Sequence, residues 1–142
     1  MLAITISEVY PVKPETVWNA ITQLKQMRQW FFENIPAFKA EIGFTTQFEV
    51  DAGERQFIHK WKIVEVIPGQ LIKYEWSYEH YRGMGYVTFN IEHEAGQTKL
   101  TLVSEGLDSF KPKVPEFTTE SCQAGWNYFI KERLQAYLSG SL

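Results

Sequence analysis

The sequence predicts an α+β fold in which a curved antiparallel sheet wraps around one long C-terminal helix. Three observations carry that expectation. Apolar residues recur at period 2 between about residues 44 and 105, a strand and two short helices precede that stretch, and the tail returns to a helical period through residue 138. A chain of 142 residues, 44% apolar and 22% charged, is long enough to bury about two-thirds of its unfolded surface in one core. No repeat, low-complexity tract or charge block marks a linker, so residues 1–142 are expected to form a single domain.

Residues 3–10 (AITISEVY) alternate, with Ile4 and Ile6 on one face and Val9 nearby, and read as a first strand. Pro14 suits the first position of a helix, where its missing N–H costs nothing. Val17, Ile21 and Leu24 follow at i, i+4 and i+7, with Trp18 flanking, which predicts an amphipathic helix over 14–24. A second short helix is expected around 26–30, ending in the Trp30-Phe31-Phe32 cluster; Trp18 and Trp30 read as packing residues. Phe44, Thr46, Phe48 and Val50 then share a face, as do Phe57, His59, Trp61 and Ile63 with Lys60 and Lys62 opposite. Alternation slips over 63–67, which suggests a bulge or a strand end. After the Pro68-Gly69 turn, Ile72, Tyr74, Trp76 and Tyr78 face one way, and Lys73 and Glu75 the other. Val87, Phe89 and Ile91, then Leu100 and Leu102, complete the inner face. A slip of one residue over 44–50 or 84–91 would swap the lining set. The tail is expected to start its helix at Pro115-Glu116, with Cys122, Trp126, Phe129, Ile130, Leu134 and Tyr137 on one stripe. Such a helix is about 22 residues, or ~33 Å, long.

Composition excludes several classes of function. Fourteen Lys and Arg against 17 Asp and Glu leave a net charge of −3, the wrong balance for gripping phosphates, so no nucleic-acid partner is expected. No apolar run approaches the ~18 residues that span a bilayer, so no membrane insertion is expected. The opening residues lack a basic segment and turn polar early, which argues against a signal peptide; a cytoplasmic location is the expectation. One cysteine, Cys122, allows neither an internal disulfide nor a cysteine-based zinc site, and three histidines 21 and 13 residues apart make no metal motif. No metal and no cofactor are expected. Aromatic residues, five Trp, seven Tyr and ten Phe, make up 15% of the chain, more than a small core needs. They either pack the core or line a pocket.

The stretch Pro14-Glu15-Thr16-Val17-Trp18-Asn19-Ala20-Ile21-Thr22 resembles the opening helix of the START-like, or SRPBCC, superfamily of helix-grip proteins. Within it the chain looks most like the branch named after the activator of the ninety-kilodalton heat-shock-protein ATPase. Trp30-Phe31, the hairpin from Ile63 to Trp76 through Pro68-Gly69, Gly96-Gln97-Thr98-Lys99-Leu100-Thr101-Leu102, and Gly125-Trp126 in the terminal helix follow the family's order from about residue 4 to 139. Two departures stand out: Gly43-Phe44 carries one glycine where a pair is usual, and Lys13 replaces the Ser or Asp that often precedes the proline. The resemblance implies the helix-grip fold. It is weak for function, because one scaffold hosts lipid carriers, cyclases and chaperone regulators.

Read on that scaffold, the expected function is non-catalytic binding of a small, largely hydrophobic molecule in a cavity between curved sheet and terminal helix. The expected wall is Phe48, Trp61, Tyr74, Trp76, Tyr78, Phe89, Trp126 and Phe129, with His59 and Tyr74 as polar anchors and Phe110 as a plug. His59 has no visible catalytic partner and reads first as a hydrogen-bonded interior or rim histidine. His80 and His93 lie in or beside turns. Cys122 reads as a small buried hydrophobe. The loops 79–85 and 106–115 are expected either to gate the pocket or to be ordinary connections. An alternative is a protein-interaction module docking on a chaperone through the outer sheet face, where Lys60, Lys62, Lys73 and Glu75 cluster. A cyclase- or hydrolase-like enzyme is a third, with no carboxylate evidently placed for it. Oligomeric state is left open.

Overall fold

A computed structural model describes residues 3–141. Strand β1 (Ala3–Tyr10) leads into helices α1 (Pro14–Thr22) and α2 (Leu24–Trp30), followed by β2 (Thr45–Asp51), β3 (Gln56–Ile67), β4 (Leu71–Tyr78), β5 (Gly85–Glu94) and β6 (Gln97–Glu105). The strands form one antiparallel sheet in the order β1-β6-β5-β4-β3-β2, so the first strand lies beside the last. Two single turns of 3₁₀ helix, Leu107–Ser109 and Pro115–Phe117, precede the terminal helix α3. That helix runs through three contiguous stretches: Thr119–Asn127, a π-helical Tyr128–Arg133, and Leu134–Leu138.

Register decides which side chains meet on the inner face. His59 lies opposite Phe48 on β2 and Tyr78 on β4, and Trp61 lies opposite Trp76. Phe48, Val87, Phe89 and Ile91 all face inward, which resolves the parity of both strands. The slip expected over 63–67 is a bulge: Ile63 pairs with Tyr74 and Glu65 with Lys73, leaving Val64 unmatched. In β1 the inward residues are Ile4, Ile6 and Tyr10, while Val9 turns outward and is 39% exposed.

Helix boundaries depart modestly from the sequence reading. α1 and α2 meet at Gln23, two residues earlier than expected. Lys13, which replaces the usual capping residue, makes no side-chain cap at α1, where Pro14 takes the first position. The terminal helix starts at Thr119 rather than at Pro115, because Thr118 interrupts it with extended backbone and its hydroxyl accepts from the Ser121 N–H at 3.2 Å. Pro115-Glu116 instead opens the preceding 3₁₀ turn.

The π stretch has a packing reason. The helix's apolar positions Cys122, Trp126, Ile130, Leu134 and Leu138 recur every four residues. At 100° per residue a step of four overshoots a full turn by about 40°, so a straight α-helix would rotate the stripe off the sheet. Widening the turn, with the Leu134 N–H bonded to Phe129 O, offsets that drift and keeps Trp126, Ile130 and Leu134 all buried. β1 grips the helix there. The buried Tyr10 hydroxyl donates to Ile130 O at 2.6 Å, and Lys131 Nζ donates to Ser7 O at 2.8 Å while lying 3.6 Å from Glu8.

Tyr10→Phe leaves the Ile130 carbonyl without its buried donor. The expected cost is about 1–3 kcal/mol, read as a lower urea midpoint at unchanged m-value.

Candidate functional site

The space between sheet and terminal helix is filled from three directions by aromatic rings. β3 and β4 supply Trp61, Tyr74 and Trp76, α3 supplies Trp126 and Phe129, and the chain leaving α2 inserts Phe31 and Phe32 between them. Phe31 lies at the centre: its ring centroid is 4.7 Å from Trp30, 5.6 Å from Trp61, 5.8 Å from Trp126 and 4.9 Å from Phe129. The sequence reading recognised the Trp30-Phe31-Phe32 cluster but did not place it in the site. The usable signal was two adjacent large rings followed by a long stretch without a clear period, since such rings must bury somewhere.

Beside Phe32 a partly open cavity of about 130 Å³ remains, between the ends of β4, β5 and β6 and the first turns of α3. Trp76, Tyr78, Phe110, Trp126 and Phe129 line it, together with Phe32, Val87, Leu107 and Cys122. Two glycines border it. At Gly125, in mid-helix, a Cβ would meet nothing within 4 Å. At Gly85 a Cβ would sit 2.9 Å from Glu105 O and 3.4 Å from the Phe110 ring.

The ten residues picked from sequence therefore divide. Trp76, Tyr78, Phe110, Trp126 and Phe129 come together around the cavity. Phe48, His59, Trp61, Tyr74 and Phe89 lie buried on the same inner sheet face but do not line it; Phe31, Phe32 and Phe38 pack over them. The two loops read as possible gates are stitched to each other. Arg82 and Lys111 exchange backbone bonds of 2.8 and 3.0 Å, and the Met84 N–H donates to Ser109 Oγ at 3.0 Å. Gly83, at φ +112°, passes so close that a Cβ would lie 2.6 Å from Ser109 O.

Electrostatics in this region favour neutral groups. His59 is caged by Phe32, Phe48, Trp76 and Tyr78 at centroid distances of 4.9 to 5.5 Å. Burial lowers its pKa to about 4, outweighing the Phe57 carbonyl, which lies 3.3 Å from Nδ1 and accepts that nitrogen's proton. The Cys122 thiol is pushed up to about 11 by burial and donates to Glu116 O at 3.5 Å, so it is no nucleophile at neutral pH. Burial likewise raises the Tyr78 phenol, with Cys122 adding to the rise; the hydrogen bond from Trp76 Nε1 at 3.0 Å opposes it. Tyr74 Oη and Trp61 Nε1 are buried with no hydrogen-bond partner, an arrangement that costs roughly 1–3 kcal/mol for each group. His80 and His93 are exposed. Among the described residues no group of three or more His, Cys, Asp and Glu converges as metal ligands, and no helix is long and apolar enough to cross a membrane.

A six-stranded antiparallel sheet closed by one long helix, with an apolar cavity between them, defines a START-like helix-grip protein. The profile of the family described as "Activator of Hsp90 ATPase homolog 1-like protein" matches residues 11–139, and the chain belongs to that family. No curated protein matches the sequence. Among solved structures, a protein of Chromobacterium violaceum aligns over 96% of both chains at 21% identity with a TM-score of 0.78. The Aha1 dimer from Colwellia psychrerythraea aligns over 99% of this chain and 98% of its own, at 18% identity and a TM-score of 0.78. DynU16, from the dynemicin biosynthetic locus, shares 23% identity over 96% of this chain but only 47% of its own, with a TM-score of 0.75. At these identities the likeness shows the fold alone.

The depressed His59 pKa fixes a direction for acid sensitivity. Between pH 6.5 and 4 the unfolded chain carries the extra proton, so stability present above pH 6.5 is lost as pH falls through that window, by at most ~1.4 kcal/mol per unit. His59→Phe is expected to flatten the fall in thermal midpoint between pH 6.5 and 5 relative to the parent protein.

Proposed function

We propose that this protein binds a small, largely hydrophobic molecule, without catalysis, in the cavity between the sheet and the terminal helix. The observation that carries this reading is Gly125. A glycine inside a helix costs about 0.5–1 kcal/mol relative to alanine, and here it leaves its Cβ position empty over an apolar cavity. Packing alone would favour a side chain at that place. The chemistry around the cavity also favours binding over turnover. Cys122 is held as a thiol, the Tyr78 phenol is held protonated, and His59 lies outside the cavity and stays neutral above about pH 4. A dry apolar cavity of about 150 Å³ accommodates benzene, so the space as it stands suits one ring. Tyr78 Oη, already accepting from Trp76, and the polar rim at Ser104 and Glu105 supply the available polar contacts.

A second reading, a protein-interaction module of the chaperone-regulator kind, is favoured by a separate feature. An open groove of about 480 Å³ crosses the outer sheet face, lined by Lys60, Lys62, Glu75 and Ser77 with Gln47 and Met84. Lys62 pairs across strands with Glu75, and Lys73 lies 5.1 Å over the Tyr86 ring. The family's description, which names an ATPase activator, is consistent with an interaction role. Either reading fits a cytoplasmic protein whose single cysteine stays reduced.

Native mass spectrometry of the protein as purified, followed by denaturing extraction, is expected to show a small-molecule adduct. In a direct test with toluene as probe, saturating toluene raises the thermal midpoint of the parent protein. Gly125→Ala raises the unligated midpoint, and Gly125→Leu fills the cavity and removes the toluene shift. A parent protein indifferent to toluene would overturn the cavity as a ligand site.

A further inference from the structure

Tyr78 is a polar group of the cavity wall whose hydrogen-bonding capacity is half used. Its oxygen accepts from Trp76 Nε1 at 3.0 Å, and among the described residues this is its one hydrogen bond. A phenol that accepts once can still donate once. The rings packed against it, Phe110 and Phe117 at 5.0 and 4.9 Å and Phe57 at 5.6 Å, offer that proton no acceptor. His59 meets the ring at 84° and 4.9 Å, with its Nδ1 engaged by Phe57 O. Cys122 gives its own proton to Glu116 O.

The oxygen stands at the cavity and not behind it. Trp76 and Cys122 both line the space; Trp76 bonds to Tyr78 Oη, and Cys122 is near enough to that oxygen to help raise its pKa. Packing against Phe110 and Phe117 keeps the ring from turning away. The other hydroxyl at the cavity, Ser104, shares a row with Val87 and Tyr74, four residues along β4 from Tyr78, so a ring-sized guest reaches one hydroxyl or the other. Trp61 Nε1 and Tyr74 Oη also lack partners, but neither residue lines the cavity. Charge is selective too. No Lys, Arg or His lines the space, and among the described residues its one charged neighbour is Glu105. An anion entering there would lose its water and gain no cation.

We propose that the cavity selects a neutral guest carrying a carbonyl-type oxygen beside an apolar ring, and that Tyr78 orients this guest by donating its phenol proton to that oxygen. The bond from Trp76 occupies the accepting side of Tyr78 Oη and so presents the hydroxyl as a donor. A guest without an acceptor leaves that proton unpaired in an apolar space, which costs more than the bond itself gains. The proposal rests on the reading of the cavity as a ligand site and names the chemistry that the site prefers.

Benzaldehyde and styrene are close in size and shape and differ by a carbonyl oxygen against a methylene group. Calorimetric titration of both into the parent protein and Tyr78→Phe therefore tests the proposal. Benzaldehyde is expected to bind the variant about fivefold more weakly than the parent, while styrene binds the variant at least as tightly. The carbonyl carbon of ¹³C-labelled benzaldehyde is expected downfield of its position in cyclohexane when bound to the parent, and close to that position when bound to the variant. Benzoate is expected not to bind the parent at concentrations where benzaldehyde saturates it. A benzaldehyde affinity that survives Tyr78→Phe, an equal loss for styrene, or a bound carbonyl resonance in the parent unchanged from cyclohexane overturns the proposal. So does benzoate binding as tightly as benzaldehyde, or failure of benzaldehyde where toluene still shifts the thermal midpoint. In those outcomes the toluene shift leaves the cavity standing as a ligand site. Failure of toluene, benzaldehyde and styrene alike in the parent overturns both readings.

Discussion

One helix cannot cover six strands. With strands about 4.8 Å apart the sheet is roughly 24 Å wide, whereas a helix with its side chains spans about 10–12 Å. The terminal helix therefore shields only part of the inner face, and the remainder must be covered by α1, α2 and the chain between α2 and β2. That deficit accounts for the unusual aromatic content. Phe31, Phe32 and Phe38 reach from an irregular segment across the uncovered width to the rings of β3 and β4, doing with large side chains what a second long helix would do with backbone. Large rings suit the task because each buries much area at little cost in side-chain entropy.

Covering a curved face with a few rigid rings does not fill it evenly. Where α3 passes over β4, β5 and β6, Gly125 withholds a side chain, so a void remains between well-packed neighbours. The helix cannot sink to close it, since its height is set farther along by the Tyr10 bond to Ile130 O and by the buried Ile130 and Leu134. The cavity and the π stretch are thus linked consequences of one docking geometry. The neutrality of the interior follows as well. Desolvation keeps His59, Tyr74 and Tyr78 uncharged.

Much of this was legible in the residues themselves. The inner residues of β3 and β4 could be assigned because alternation over Phe57, His59, Trp61 and Ile63, and over Ile72, Tyr74 and Trp76, is nearly unbroken, and the bulge near Val64 announced itself as a slip in that pattern. Trp76, Tyr78, Phe110, Trp126 and Phe129 were all named as candidates and all lie at the cavity. The place of Phe31 and Phe32 was not legible. Phe31 and Phe32 obey no period, and nothing local says whether two adjacent rings leave the domain or enter its centre. The π stretch was likewise hidden, because a spacing of four residues reads as helical whether the turn is tight or wide.

By itself, then, the sequence determined the order of the elements, the inward faces of β3, β4 and β6 and the identity of the apolar helix stripe, all of which follow from the fixed periods of strand and helix; the parity of β2 and β5 waited for the structure. Only the tertiary structure decided that Phe31 occupies the slot between Trp30 and Trp61, that Phe48, His59, Trp61, Tyr74 and Phe89 lie away from the remaining cavity, and that Trp61 Nε1 and Tyr74 Oη find no partner. Those facts depend on how far apart sheet and helix come to rest and on what fills the distance. That separation is a balance of packing among residues remote in the chain, and no local pattern encodes it.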